Sequence, residues 1–476
     1  MIKKNIVLLM VSVLFFNGCR NAKDARSNTA FESFNSLKGA VVSGLVVDME
    51  SGEVLAARNE DIRMTPASLS KIFTTSAALY ILGPEFRYKT VIAKSGRVVK
   101  GTLNGDLLVI GGGDPALGSK YFNSTQPEAV FDKILKDIKK AGIRSVSGKL
   151  VIVSGYFSPP AYPSLRLWED MSNYYGAPPS GLTFMDNIFK VALKSPVKRG
   201  ERCSVVSIKP DIDIELDCRV VSSASKKDSA YIYGYPGLKK WYIDGSIPAG
   251  RNSFVVKGAM PFPEKVFGRE LLKHLKNGGI TVHKLSFEND QRDRVIDTIG
   301  TVYSPPLSSV IKQVNKKSIN LFADHLFLTL AKKYGKADWD NARKVFNGFW
   351  KKSIGDNNIF LHDGSGLSPY NCCTPEDMVK VLEFNAGSRF SKEFKTSLSV
   401  SGVDGTLKRI WNSSETKGMV TGKSGYMKGV LGYAGYITTK TGRQLSFCII
   451  VNRFTEPVSE IRSLIEKEIE KIIVQN

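Results

Sequence analysis

The sequence predicts an α/β protein in which the two ends of the chain share one sheet around a long β-rich insertion. Two β-rich runs within residues 41–56 flank a Glu-Ser-Gly turn, which is the pattern of a hairpin. Two further β runs, 430–439 and 444–452, are joined by a short polar turn and predict a second hairpin. A helix with one apolar stripe follows at 457–474. A hairpin at each end of the chain indicates that both ends build the same sheet.

The segments between the hairpins include both helical and β-rich stretches. Helical spacing of apolar residues predicts a helix over 68–82, which Gly83 and Pro84 end. Residues 93–292 alternate short β-like runs with Gly, Pro and Asn turns, which is typical of one or two inserted β-rich domains. Helical spacing returns at 307–334.

Length and composition restrict the function classes only partly. The chain has 476 residues, which favours two or three domains, and its 42% apolar content is enough for a buried core. The net charge of +22 favours polyanionic partners such as nucleic acid, anionic lipid or a cell-wall polymer. No basic run is interleaved with aromatic residues as in a nucleic-acid groove, so we expect no nucleic-acid partner.

The N-terminus predicts export. Lys3 and Lys4 precede an apolar run of signal-peptide length, and a small residue then precedes Cys19. We therefore predict a signal peptide at 1–18, a polar tether at 19–29, and a periplasmic protein that a lipid on Cys19 attaches to a membrane. The alternative is ordinary cleavage nearby, with Cys19 removed or left free. No later segment has the length of a membrane span.

Cysteine and histidine usage argues against a disulfide scaffold and against a zinc enzyme. Six cysteines are few for this length, although Cys203 and Cys218 flank a short strand-like stretch and could pair. The four histidines form no His-Glu-x-x-His motif. We expect neither a metal nor an organic cofactor.

Ser68 and Lys71 form a Ser-x-x-Lys pattern at the first turn of the predicted 68–82 helix. Positions three apart share a helix face, so the lysine amine can reach the serine hydroxyl. A lysine held in a dry, cationic site loses basicity and can act as a general base for a serine nucleophile. The pattern recurs elsewhere in the chain, but Ser68 alone opens an apolar helix behind Pro66-Ala67.

Two further motifs follow in order. Ser318-Ile-Asn320 lies in the helical region 307–334, and Lys423-Ser424-Gly425 precedes the last hairpin on a predicted strand. Lys440-Thr-Gly442 also matches the third motif, but it falls in the turn of that hairpin, where its side chains would face solvent. We therefore assign the third motif to 423–425.

The three motifs in this order are the set seen in penicillin-recognising enzymes. The whole mature chain resembles the penicillin-binding protein 4 type of D-Ala-D-Ala carboxypeptidase/endopeptidase, serine peptidase family S13. The stretches that carry the resemblance are Pro66–Thr75 with Leu82–Arg87, Gly113–Leu117, Asp363–Ser368 with Thr374-Pro375, Gly402–Leu407, and Gly422–Gly425 leading to Leu431–Thr439. The long gap between Lys71 and Ser318 fits the large insertion of this family.

The resemblance implies the fold and the domain limits. We expect a three-layer α/β/α catalytic domain, similar to that of penicillin-binding proteins and β-lactamases, built from residues 30–92 and 291–476. A β-rich inserted domain would comprise 93–185 and 265–290, with a third domain, 186–264, nested within it.

The resemblance also implies a role for each motif residue. Ser68 would attack the carbonyl between two D-alanines of a peptidoglycan stem peptide, and Lys71 would take its proton. Ser318 would relay the proton to the leaving amine, and Asn320 would hold the peptide amide. β-Lactam antibiotics would act as covalent inhibitors.

The third motif would bind the end of the substrate. Lys423 would supply positive charge, Ser424 would bind the terminal carboxylate, and Gly425 would lie on the strand edge that faces the nucleophile. The backbone N–H groups of Ser68 and Tyr426 would form the oxyanion hole.

Asp170 resembles a family aspartate that faces the ammonium end of diaminopimelate in the stem peptide. A carboxylate is suited to that cation. The alternative is an aspartate that caps a turn.

Three rival interpretations remain open from the sequence. A histidine-based serine hydrolase would use His325 or His362 as the base, oriented by Asp324 or Asp363. A β-lactamase or esterase on the same scaffold would use a similar Ser–Lys pair. A non-catalytic, wall-binding lipoprotein could keep the fold alone.

Overall fold

A computed structural model describes residues 31–290 and 294–476. The predicted signal peptide, the tether and Cys19 lie outside the described residues. The helices are α1 (Ser70–Leu82), α2 (Pro127–Lys140), α3 (Trp168–Met171), α4 (Pro263–Asn277), α5 (Leu307–Lys317), α6 (Asn320–Lys332), α7 (Trp339–Ile354), α8 (Pro375–Ala386), α9 (Ser391–Ser397) and α10 (Val458–Gln475).

Strands fall into five sheets. They are β1 (Val41–Asp48), β2 (Val54–Arg58), β3 (Lys89–Val99), β4 (Thr102–Ile110), β5 (Ser145–Val153), β6 (Ile188–Lys194), β7 (Ser204–Lys209), β8 (Glu215–Cys218), β9 (Val221–Ser223), β10 (Tyr231–Tyr233), β11 (Lys240–Asp244), β12 (Ser246–Pro248), β13 (Phe254–Ala259), β14 (Thr281–Glu288), β15 (Asp297–Tyr303), β16 (Ser399–Val400), β17 (Val420–Met427), β18 (Val430–Thr438) and β19 (Gln444–Asn452).

The largest sheet joins the two ends of the chain. Its six strands run in the order β16-β17-β18-β19-β1-β2, and every neighbouring pair is antiparallel. The first and last hairpins therefore meet through the β1–β19 pairing, in which Leu45 lies opposite Cys448. The predicted α/β fold with a shared sheet is confirmed.

Alternate residues of this sheet enter two separate cores, as expected for strands buried on both faces. Leu45 and Ile450 pack with α1, α5, α6, α7 and α8 on one side. Val46 and Ile449 pack with α10 on the other, where Ile461, Ile465, Ile469 and Ile473 form the buried stripe of that helix. The result is an α/β/α arrangement with β17, which carries Lys423, beside the helices of the first core.

The insertion contains the other four sheets. The main one has five strands in the order β14-β5-β4-β3-β15, and it is followed in size by β13-β6-β7, β10-β11-β8 and β12-β9. Strand β15 lies beyond residue 291, where we predicted that the catalytic domain resumes, and it pairs with β3, which crosses the other predicted limit at residue 92. Its backbone satisfies the exposed hydrogen-bonding edge of β3, a pairing that local sequence does not encode.

Cys203 and Cys218 are free thiols, so the possible pairing is not present. Within the described residues, every helix is too short or too polar to traverse a bilayer.

Candidate active site

Ser68 lies in a short 3₁₀ turn, Ala67–Leu69, that runs directly into α1. Ala67 has a φ of 47°, a left-handed conformation that residues other than glycine rarely adopt and that is common at functional sites. The turn leaves Ser68 partly exposed, while Lys71 is fully buried beneath it. Lys71 Nζ lies 2.9 Å from Ser68 Oγ, as the i, i+3 spacing predicts.

Lys71 has two further partners. Its Nζ donates to Asn320 Oδ1 at 2.7 Å and to the backbone carbonyl of Ser365 at 2.5 Å. Burial lowers the pKa of Lys71 to about 7, with the nearby carboxylates of Asp324 and Asp363 opposing this effect. A neutral amine has two N–H groups, and here they donate to Asn320 Oδ1 and to the Ser365 carbonyl. The remaining lone pair then faces Ser68 Oγ, which is the arrangement a general base requires.

Ser318 lies in a break between two helices within the region 307–334. α5 ends at Lys317, Ser318 has φ 56° and ψ 42°, and α6 begins at Asn320. This left-handed residue redirects the chain, so that Ser318 and Asn320 project into the same cleft.

Lys423 reaches this cleft from β17. Its Nζ donates to Ser318 Oγ at 3.0 Å and to the backbone carbonyl of Ser424 at 2.6 Å. Lys423 is fully buried, and its pKa is lowered by burial and by the neighbouring Lys71. Two hydrogen-bonded groups therefore face each other: Lys71 with Ser68 and Asn320, and Lys423 with Ser318. Lys71 and Lys423 are close enough for each charge to act on the other.

Gly425 brings β17 against the turn that carries Ser68. A Cβ at this position would lie 2.5 Å from the Pro66 carbonyl oxygen and 3.1 Å from the Leu69 backbone nitrogen. The Tyr426 side chain is 58% exposed, so only its backbone can take part in a buried oxyanion hole. Ser424 is partly exposed beside them.

Asp170 lies on α3 and is linked to Asn320 through Tyr175. It is buried, and burial raises its pKa, while a hydrogen bond from Tyr175 opposes that shift. The backbone carbonyl of Tyr175 in turn accepts from Asn320 Nδ2 at 2.9 Å. The segment around α3 therefore forms one wall of the cleft.

The second Lys-Thr-Gly match lies elsewhere. Lys440 follows β18 in the hairpin turn and forms an ion pair with Glu415 at 2.9 Å. It belongs to the polar surface at the end of the sheet.

Among the described residues, His325 pairs with neither a serine nor a carboxylate and so forms no hydrolase triad. His325 is fully buried between Thr183 Oγ1, 2.8 Å from Nε2, and the Gly113 carbonyl, 2.9 Å from Nδ1, and burial lowers its pKa to about 3. Through these two hydrogen bonds, the neutral ring of His325 links the insertion to α6. Within the described residues, no three His, Cys, Asp or Glu side chains are grouped as metal ligands.

Sequence reasoning missed three groups beside Lys71. The sequence marks Asp363–Ser368 only as part of the family resemblance, and the structure shows that this stretch supplies the Ser365 carbonyl that binds Lys71. Asp324 was considered only as a partner for a histidine, and Arg166 was not singled out. The signal available for Asp324 was its position four residues after Asn320, which places both on one face of α6. No local pattern marks Arg166.

The family model and the related proteins that match this chain agree on one family of carboxypeptidases. The model of the D-Ala-D-Ala carboxypeptidase 3 (S13) family matches residues 28–471. The D-alanyl-D-alanine carboxypeptidase DacB of Haemophilus influenzae is 26% identical over 437 residues, which are 88% of this chain and 86% of that protein. A D-alanyl-D-alanine carboxypeptidase from an Actinomadura species is 27% identical over 444 residues, 89% of this chain and 79% of that protein.

Solved structures share the fold. The crystal structure of penicillin-binding protein 4 from Haemophilus influenzae matches with a TM-score of 0.82 at 23% identity, covering 93% of this chain and 98% of that one. A second structure of the same protein contains a β-lactam and matches with a TM-score of 0.76 at 22% identity over the same shares of both chains.

Proposed function

The chain belongs to the D-Ala-D-Ala carboxypeptidase 3 (S13) family and is a serine-type D-Ala-D-Ala carboxypeptidase, and on this premise we propose that Ser68 is its nucleophile. The observation that carries the proposal is the contact of Ser68 Oγ with Lys71 Nζ at 2.9 Å, in a buried site that lowers the lysine pKa to about 7. Ser68 is the one partly exposed hydroxyl that Lys71 contacts.

Acylation follows from this geometry. Ser68 Oγ attacks the carbonyl carbon between the last two D-alanines as its proton passes to the neutral Lys71. Charge develops on the carbonyl oxygen, where the backbone N–H groups of Ser68 and Tyr426 would stabilise it. The C–N bond then breaks, and the leaving amine of D-alanine takes a proton through Ser318.

The remaining motif residues bind the substrate. Lys423 and Ser424 would hold the terminal carboxylate, and Asn320, already positioned by Lys71 and Tyr175, would bind the peptide amide. Water completes the cycle by cleaving the Ser68 ester, with Lys71 again accepting a proton. The substrate we propose is the stem peptide of peptidoglycan, and the same attack on a cross-link is the endopeptidase reaction.

A β-lactam would acylate the same serine. The proposal is supported by family membership and by the related Haemophilus influenzae protein, whose structure holds a β-lactam. The lactam carbonyl would replace the scissile peptide carbonyl, and its carboxylate would occupy the site beside Lys423.

The test is intact-protein mass after incubation with penicillin G. Wild-type protein should gain the mass of one penicillin, and Ser68→Ala should gain none. Ser70→Ala is the matched control, because Ser70 is two residues away but fully buried, and it should be acylated like wild type. An adduct on Ser68→Ala would exclude Ser68 as the nucleophile. Hydrolysis of the drug without an adduct would indicate a β-lactamase.

We further propose that the protein is exported to the periplasm and is attached to a membrane by a lipid on Cys19. This rests on the basic, apolar and small-residue order of residues 1–19. Metabolic labelling with a radioactive fatty acid should mark the wild type and not Cys19→Ser. Equal labelling of both would exclude this attachment.

A further inference from the structure

A buried ion cluster lies next to Lys71. Arg166 Nη2 is 3.0 Å from Asp324 Oδ2 and 3.0 Å from Asp363 Oδ2, and the three side chains are 1%, 0% and 0% exposed. Buried charges are costly, and removing one partner leaves an uncompensated charge in the interior. The three charges come from three separate parts of the fold: the segment before α3, the helix α6, and the loop after residue 361.

The cluster organises the loop that binds Lys71. Asp363 Oδ1 accepts from the backbone N–H of Gly366 at 2.7 Å, and Oδ2 accepts from that of Ser368 at 2.8 Å. These bonds close a tight loop in which the Ser365 carbonyl points at Lys71 Nζ, 2.5 Å away. The loop packs so closely on the Ser68 turn that a Cβ on Gly366 would lie 1.8 Å from the Ala67 carbonyl oxygen.

The cluster also carries a net charge. Arg166 compensates one of the two carboxylates, which leaves one negative charge near Lys71. Burial raises the pKa of Asp324 to about 6, whereas that of Asp363 is lowered despite its burial because Arg166 and several N–H donors favour the carboxylate. Both carboxylates are therefore ionised at neutral pH.

We propose that Arg166, Asp324 and Asp363 are positioning residues for Lys71: they hold the Ser365 carbonyl against its amine, and their net negative charge sets how readily it accepts the Ser68 proton. The inference rests on the proposed role of Lys71 as the base. It means that the insertion, through Arg166, controls the chemistry of the catalytic domain.

The charged groups that face this site come from every element packed around it. Asp324, Asp363 and Arg166 act on Lys71 directly, and Lys423 faces it from β17. Asp170 and its partner Tyr175 lie beside Arg166 and Asp363. Lys423 is the same in all the variants below, whereas Arg166 lowers the pKa of Asp170, so Arg166→Gln also favours the neutral form of Asp170.

The test measures the second-order rate constant for acylation of the full-length protein by penicillin G between about pH 5 and pH 9, which reports the base in the free enzyme. Arg166→Gln removes the cation that favours the Asp324 carboxylate, so Asp324 takes up a proton, Asp363 stays ionised, and the midpoint of the acid limb should stay close to that of wild type while the rate falls. Asp324→Asn leaves no net charge and should move the midpoint down by about one pH unit. The double variant restores one net negative charge, so its midpoint should return close to that of wild type.

Two controls separate charge from folding. Arg166→Lys keeps the positive charge and should keep the wild-type midpoint even if the rate falls, because a lysine side chain does not reproduce the shape of the guanidinium group. Arg443→Gln removes an arginine that pairs with Asp48 at 2.7 Å, away from Lys71, and should change neither rate nor midpoint.

A downward shift for Asp324→Asn that is reversed in the double variant would support the inference, because a purely structural defect lowers the rate at all pH values alike. An unchanged or upward midpoint in Asp324→Asn, or no recovery in the double variant, would overturn it. If Arg166→Gln fails to fold, the downward shift of Asp324→Asn decides the question. Failure of wild type to acquire penicillin would instead contradict the proposed function.

Discussion

Lys423 Nζ lies 3.0 Å from Ser318 Oγ, although the two residues are on different elements and 105 positions apart. The contact joins the second motif to the third. It places the buried amine of Lys423 beside the hydroxyl that we expect to carry the proton to the leaving group.

Replacing Lys423 by alanine should reduce penicillin acylation at least about 100-fold, because loss of a charge-assisted contact to the carboxylate costs on the order of 3 kcal/mol. The measurement is the pseudo-first-order rate of acylation against drug concentration. Lys440→Ala is the matched control, since Lys440 belongs to the same three-residue pattern but pairs with Glu415 in a turn. Equal losses in the two variants would contradict the assignment of the motif.

The pH dependence of acylation should report Lys71. Its pKa is lowered to about 7, so below this pH the group is an ammonium ion without a lone pair and cannot accept the Ser68 proton. The rate constant should therefore rise with pH through about 7 and fall about tenfold for each unit below it. Stopped-flow acylation with a chromogenic cephalosporin measures this profile. A rate independent of pH between about 5 and 8 would exclude Lys71 as the base.

Gly425→Ala should damage the active site without unfolding the protein. The new Cβ would lie 2.5 Å from the Pro66 carbonyl oxygen, so β17 must move away from the turn that carries Ser68. A displacement of this size costs about 100-fold in rate. Gly348→Ala in α7 is the control, because nothing lies within 4 Å of its Cβ, and its rate should stay at the wild-type value. Acylation rates and thermal unfolding should be compared for both; a normal rate in Gly425→Ala would show that β17 can adapt.

Asp170→Asn tests whether Asp170, in the wall of the cleft, binds an ammonium group of the substrate. If Asp170 faces an ammonium group of the stem peptide, kcat/KM should fall about tenfold or more for a peptide with a free side-chain amine. It should change little for the same peptide with that amine acetylated. Acylation by penicillin, which lacks the amine, is the internal control. Equal losses on all three substrates would mean that Asp170 only holds Tyr175 and the Asn320 contact.

Much of the fold could be predicted because it depends on periodic patterns. The hairpins and the stripe of α10 follow from alternation and helical spacing, and both are present in the structure. The break at Ser318 could not be predicted, since apolar spacing continues across it and only the left-handed backbone interrupts the helix. The pairing of β15 with β3 could not be predicted either, because an edge pairing is a long-range contact.

The sequence by itself determined the family, the order of the three motifs and the choice of Lys423 over Lys440, because each depends on short-range patterns and turn chemistry. Only the tertiary structure decided what surrounds Lys71. Arg166, Asp324 and Asp363 are separated by up to 197 positions and become neighbours solely through packing of the insertion on α6. Burial is the physical reason: a lysine amine becomes a base near neutral pH only when the folded chain removes water and arranges charges around it.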